Sequence, residues 1–88
     1  MDISSCYALA SGHRMQWEEV QQAWVVLYPE GVVTLNASAA DTLRRCDGLT
    51  PLSLVITDLE CAYAQTGLTE DVLELVAAAL SEGWLRRC

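Results

Sequence analysis

A change of hydrophobic period at Asn36 constrains the fold more than any other feature of the chain. Upstream, Ala23-Trp24-Val25-Val26-Leu27-Tyr28 and Val32-Val33-Thr34-Leu35 are short runs rich in β-branched and aromatic residues, split by Pro29-Glu30-Gly31. Such runs suit strands, and proline presets φ at the second position of a type I turn. Gly31 is expected in the left-handed conformation of the bulge that completes a three-residue hairpin loop. Before them, His13-Arg14-Met15-Gln16-Trp17-Glu18 alternates polar and apolar residues, the mark of a short half-buried strand. Downstream of Asn36 the apolar residues recur at helical spacing. The prediction is an α+β fold: a three-stranded antiparallel sheet followed by a three-helix bundle, winged-helix-like, with Val32–Leu35 at one open edge.

The helical half divides at its punctuation. Asn36 or Ser38 can cap the first helix, with Ala39, Leu43 and Cys46 on one face, Arg44 and Arg45 in its last turn and Gly48 ending it. Thr50-Pro51 opens the second, with the proline in the first turn, where its missing N–H costs nothing. Leu52, Val55, Ile56, Leu59 and Tyr63 form its inward stripe. Thr69 is expected to cap the third, and Glu70 and Asp71 suit its dipole. Gly83 stops it. Arg86-Arg87-Cys88 reads as a tail. Residues 1–11 lack a sustained period and read as a mobile or loosely docked arm, so the folded domain is expected over 12–88.

Composition narrows the function. At 88 residues the chain has mass for one domain but little for a cleft with its own supporting shell. With 52% apolar residues it should fold. Twelve acidic residues against five arginines give a net charge of −7, and the last helix carries Glu70, Asp71, Glu74 and Glu82. Phosphate would meet repulsion there, which excludes nucleic acid. No apolar run reaches membrane-spanning length and the N-terminus is acidic, so a cytoplasmic protein is expected. Cys6, Cys46, Cys61 and Cys88 contain no C-x-x-C pair, and His13 stands alone, so no metal site is expected. Nor does any serine or cysteine have a second base to serve it, and no glycine loop could cradle phosphate. No catalytic residue and no cofactor are assigned. Trp17, Trp24 and Trp84 are read as core packing before ligand stacking.

Two features exceed what a core needs. On the third helix Val72, Val76 and Ala79 share one line, flanked by Leu75 on one side and by Leu73, Ala77 and Leu80 on the other. That apolar arc spans roughly 200°, against the ~100° that suffices for a surface helix. The strand Val32, Val33, Thr34, Leu35 has none of the lysine, proline or inward charge that usually blunts an edge. An open edge beside a surplus apolar flank makes a groove for an extended peptide, with backbone bonds for affinity and alternate side chains for specificity. The residues expected to line it are Val32, Val33, Thr34, Leu35, Leu73, Ala77 and Leu80.

From about Gly12 to Leu85 the sequence resembles the PqqD family of pyrroloquinoline-quinone (PQQ) biosynthesis. The match is densest in Arg14-Met15-Gln16-Trp17-Glu18, Leu27-Tyr28-Pro29-Glu30-Gly31, Leu35-Asn36-Ala37-Ser38-Ala39-Ala40, Leu43-Arg44-Arg45-Cys46-Asp47-Gly48 and Gly83-Trp84-Leu85. It departs at Leu49-Thr50-Pro51, where the family often has a charged residue and an arginine. The resemblance implies a non-catalytic recognition module for a ribosomally made, modified peptide. Such a module binds the precursor (PqqA-like) by strand addition, which the resemblance places at Val32 to Leu35 with Leu73, Val76, Ala77 and Leu80. It presents the precursor to a radical S-adenosylmethionine enzyme (PqqE-like), which joins a glutamate and a tyrosine side chain. Two other readings stay open: a protein that binds or carries the quinone itself through tryptophan stacking, and a module whose open edge only forms a homodimer.

Overall fold

A computed structural model describes residues 2–88. Along the chain lie β1 (Tyr7–Leu9), β2 (Arg14–Glu18), β3 (Ala23–Tyr28), β4 (Gly31–Thr34), α1 (Ala37–Arg44), α2 (Leu52–Ala62), α3 (Thr69–Ser81) and β5 (Leu85–Arg87). β2, β3 and β4 form the expected antiparallel meander, with β3 in the centre, and three helices follow. The α+β order is therefore the one the change of period predicts.

Register sorts the sheet into two faces. Met15 lies opposite Val26 and Val26 opposite Val33, and this row, with Trp24, packs on the core. The other face has Gln16, Val25 and Thr34 in one row. Val25 is fully buried there, between two polar neighbours that are themselves tied down. Gln16 accepts from Arg14 Nη2 (3.2 Å) and donates to Glu18 Oε1 (2.9 Å), while Thr34 Oγ1 donates to Gln21 Oε1 (3.0 Å).

The hairpin differs from the expectation. Tyr28 pairs directly with Gly31, so the loop is Pro29-Glu30 alone and Gly31 is the first residue of β4, with no left-handed φ. Because Tyr28 and Gly31 are directly opposed, the two residues between them make the turn without a bulge. The left-handed residue of this sheet is Gln22 (φ 52°), in the loop between β2 and β3, where its N–H donates to Glu19 O (3.3 Å).

Helix ends follow side-chain chemistry at one end and context at the others. Asn36 caps α1 as expected, its Oδ1 accepting from Ala39 N at 2.8 Å. Before α2, Asp47 Oδ1 accepts from the N–H groups of Leu49 (2.8 Å) and Thr50 (2.9 Å), and Pro51 is the cap residue rather than part of the first turn. Tyr63, expected on the inward stripe, lies beyond the end of α2. It is exposed and its hydroxyl donates to Asp41 Oδ2. At α3 the cap is Leu68 rather than Thr69, and no side chain of its own serves it.

The chain ends also differ from the expectation. Where the sequence suggests an arm over 1–11 and a tail over 86–88, β1 and β5 pair antiparallel, Tyr7 opposite Arg87 and Leu9 opposite Leu85. Tyr7 (3% exposed) and Leu85 join the core made by Val26, Leu43, Leu52, Val55, Leu59 and Val76. Three-residue strands are too short to show a period, and each finds its partner only at the far end of the chain.

Candidate functional site

The two edges of the meander are built differently. β2 carries Arg14 and Glu18, linked through Gln16 into a hydrogen-bonded row of side chains. Charge on an edge opposes pairing with a further strand. β4 has no charged residue at all.

Hydrogen-bond alternation identifies the open groups of β4. Leu35 N donates to Trp24 O (2.9 Å), so Leu35, Val33 and Gly31 turn their backbone groups toward β3. Val32 and Thr34 consequently direct N–H and C=O outward. Among the described residues no strand pairs with that side of β4. Val32 is 54% exposed and Thr34 is exposed, whereas Val33 faces the core, half-buried, and Leu35 is buried at 7%.

On α3 the surplus expected from the sequence is largely absorbed. Val76 is fully buried, Leu73 and Leu80 are half-buried against the core, and only Ala77 of that flank is exposed. The eight expected residues therefore divide by exposure: Val32, Thr34 and Ala77 are exposed, Val33, Leu73 and Leu80 are half-buried, and Leu35 and Val76 are buried.

A groove of about 710 Å³ runs along the opposite flank of α3, lined by Leu68, Val72 and Leu75, with Ala39 from α1 and Leu59 from α2. Asn36 and Ala37, the residues that follow β4 and Leu35, stand at its side. Tyr63, Gln65 and Asp71 add its polar groups. Leu68, Val72 and Leu75 repeat at i, i+4 and i+7, so this stripe is visible in the sequence. It passes for pure core because Val72 is also the start of the buried line.

The arginines at the end of α1 are paired. Arg45 Nε meets Asp58 Oδ2 at 2.6 Å, Arg44 Nη1 lies 3.9 Å from Asp41 Oδ1, and the Arg44 guanidinium sits 4.6 Å over the Trp24 ring. Trp17 stands edge-on to Trp24 at 5.9 Å and donates from Nε1 to Glu19 Oε2 (2.7 Å). That bond holds the Glu19 carboxyl below its ordinary value. Tyr63 goes the other way, its hydroxyl pushed up chiefly by donating to the Asp41 carboxylate. The Trp24 ring thus has two partners, Trp17 and Arg44, and His13 stacks on Tyr28 at 5.7 Å. Among the described residues no three metal-ligating side chains cluster. No described helix is long and apolar enough to cross a membrane.

Residues 23–85 match the profile of a family described as Coenzyme PQQ synthesis protein D (PqqD). The chain is 48% identical over 73 residues to a PqqA binding protein of Methylococcus capsulatus, covering 83% of this chain and 78% of the relative. A PqqA binding protein of Acinetobacter baylyi is 41% identical over 75 residues, or 84% of this chain and 76% of that one. The fold matches the solution structure of the PqqD portion of Methylobacterium extorquens PqqCD, described as a stand-alone recognition element for ribosomally synthesised, post-translationally modified peptides. The TM-score is 0.77 at 26% identity, over 91% of this chain and 87% of the other. By sequence and by fold alike, the chain belongs to the PqqD family.

Proposed function

We propose that this protein is a non-catalytic peptide adaptor of PQQ biosynthesis. It takes up an extended segment of a PqqA-like precursor as a fourth strand of the β2-β3-β4 sheet. The observation that carries the reading is the uncharged edge of β4, with the backbone groups of Val32 and Thr34 directed outward. Relatives named PqqA binding proteins and a neighbour described as a peptide-recognition element support it. Main-chain bonds along β4 supply the affinity, and apolar contacts with α3 supply the specificity. Leu73, Ala77 and Leu80 offer one such surface, beside the buried Val76 of the same helix. The groove beside Leu68 and Leu75 offers a second, reached where the edge ends at Asn36.

The adaptor holds the precursor in the cytoplasm and presents it to a PqqE-like radical S-adenosylmethionine enzyme, raising the effective concentration of the reactive side chains. Titration of isotope-labelled protein with the precursor peptide tests this. The amides of Val32, Thr34 and α3 should shift most. Shifts confined to α2, or dimerisation in place of peptide uptake, would remove the proposal. Quenching of tryptophan fluorescence by free PQQ at low concentration would favour the quinone-carrier reading.

A further inference from the structure

The pairing of the chain ends brings together two cysteines that lie 82 positions apart by subtraction of their numbers. With Tyr7 opposite Arg87 and Ala8 opposite Arg86, the register sets Cys6 opposite Cys88. The Cys88 N–H donates to Cys6 O at 2.9 Å, in phase with the bond from Ala10 N to Trp84 O at 2.8 Å. Directly opposed residues of an antiparallel pair project to the same face. That face is the one away from the core, because Tyr7 and Leu85 occupy the other. Gly48 gives an independent check: a Cβ placed there would lie 3.2 Å from Cys88 Sγ and 3.3 Å from the Ala8 methyl. Cys88 and Ala8 therefore share a side, and Cys6, two residues from Ala8, shares it too.

We propose that Cys6 and Cys88 are a disulfide site that ties β1 to β5. Hydrogen-bonded pairs hold their Cα atoms about 5.5 Å apart, inside the range of about 4.4–6.8 Å that a disulfide spans. Cβ atoms of such pairs start about an ångström too far apart, a gap that two short terminal strands can close. Both sulfurs can be reached, Cys88 being exposed and Cys6 half-buried. The other cysteines do not compete. Cys46 is buried and donates to Thr42 O. Cys61 lies near the far end of α2 from Pro51, the residue that bridges Cys6, a separation of about 15 Å at helical rise.

Closure needs a two-electron oxidant, here a small disulfide such as oxidised glutathione. The Cys88 thiolate attacks one sulfur of the oxidant and expels its thiolate, leaving a mixed disulfide. The Cys6 thiolate then attacks the Cys88 sulfur and expels the second glutathione thiolate. Two protein thiols are oxidised, one disulfide is reduced, and the two protons leave on the released thiols.

The test incubates the reduced 88-residue chain with oxidised glutathione and maps it under non-reducing conditions after glutamate-directed digestion. The expected product joins the peptide ending at Glu18 to Gly83–Cys88, with the intact mass lower by about 2 Da for the two hydrogens lost. Its Tm should exceed that of the reduced chain by about 5 °C or more, since the bond closes nearly the whole chain into one loop. Cys61→Ser should retain both effects, and Cys6→Ser and Cys88→Ser should lack both. Glutathione adducts at Cys88 and Cys61 with no internal link would overturn the proposal, as would a link through Cys61. That mapping needs only the wild-type chain, so a variant that folds poorly does not obscure it.

Discussion

Glu60 in α2 closes the N-terminus of α3: its Oε2 accepts the Leu68 N–H at 3.0 Å. A helix start leaves its first N–H groups without intrahelical partners, and most are served by the helix's own cap residue. Here the service comes from a neighbouring helix, and it fixes the two helices relative to each other beside the groove.

Glu60→Ala should therefore cost about 1 kcal/mol, the usual worth of a lost cap, lowering Tm by roughly 4–8 °C for a domain of this size. Glu60→Gln, which keeps an acceptor, should recover most of the loss. Thr69→Ala should change Tm little, because Thr69 is not the cap. Thermal unfolding of the three variants checks the assignment, and a larger loss for Thr69→Ala than for Glu60→Ala would refute it.

Proline scanning tests the edge. The Thr34 N–H points away from β3, so Thr34→Pro removes a backbone bond available to an incoming strand and no backbone bond of the sheet, losing besides only the exposed hydroxyl bond to Gln21. Peptide Kd should rise about tenfold or more, about 1.4 kcal/mol, while circular dichroism stays unchanged. Val33→Pro removes a ladder bond to β3 and should destabilise the protein itself. Equal effects of the two variants on stability would show the phase of the ladder to be wrong.

The two flanks of α3 can be separated by adding charge. Ala77→Glu alters the exposed position beside Leu73 and Leu80, whereas Leu75→Glu alters the wall of the groove. The variant on the flank that the peptide uses should weaken binding several-fold, since an unpaired carboxylate would be desolvated against apolar contacts. Calorimetric titration with the precursor reads the difference. Unchanged affinity in both variants would exclude α3 from the binding surface.

Acid unfolding should report on the loop before α2. The N–H groups of Leu49 and Thr50 hold the Asp47 carboxyl below its ordinary value of 3.8, and the Thr50 hydroxyl adds to the effect. A depressed value means that the unfolded chain binds the proton more readily. The stability that Asp47 contributes is thus fully present above about pH 4 and is lost as pH falls through its folded value. The gap in Tm between wild type and Asp47→Ala should be constant from pH 7 to about 5 and close below about 4. A gap independent of pH would assign the loop to other forces.

Cys46 titrates in the opposite sense. Burial, aided by the Asp47 charge, pushes its thiol up from 9.0 to about 11. Stability from the neutral thiol is present below pH 9 and is lost as pH rises toward about 11. At neutral pH Cys46 should react with a thiol reagent only as fast as the protein opens, long after the exposed Cys61 and Cys88. Reaction of all four thiols at one rate would contradict this.

The legible parts of the fold are those whose cause is local. The change of period at Asn36, the Asn36 cap and the turn at Pro29 each act over a few residues, and the strands and helices fall where those signals place them. The uncharged edge could be read from Val32-Val33-Thr34 for the same reason. What escaped notice depends on distant partners: the pairing of Tyr7–Leu9 with Leu85–Arg87, the service of Leu68 by Glu60, and the outward place of Tyr63, drawn by Asp41. On α3 a helical wheel counts apolar residues but not what the first strand and the last will cover. Leu73 and Leu80 look surplus until the core they pack against is assembled, whereas the groove beside Leu75 exists only once α1 and α2 stand around it.

Because Tyr7 and Arg87 stand side by side, the module enters and leaves at one point of its surface. It can be spliced into an exposed loop of a larger host polypeptide through two short linkers, without stretching either, and with β4 left unobstructed on a separate sheet.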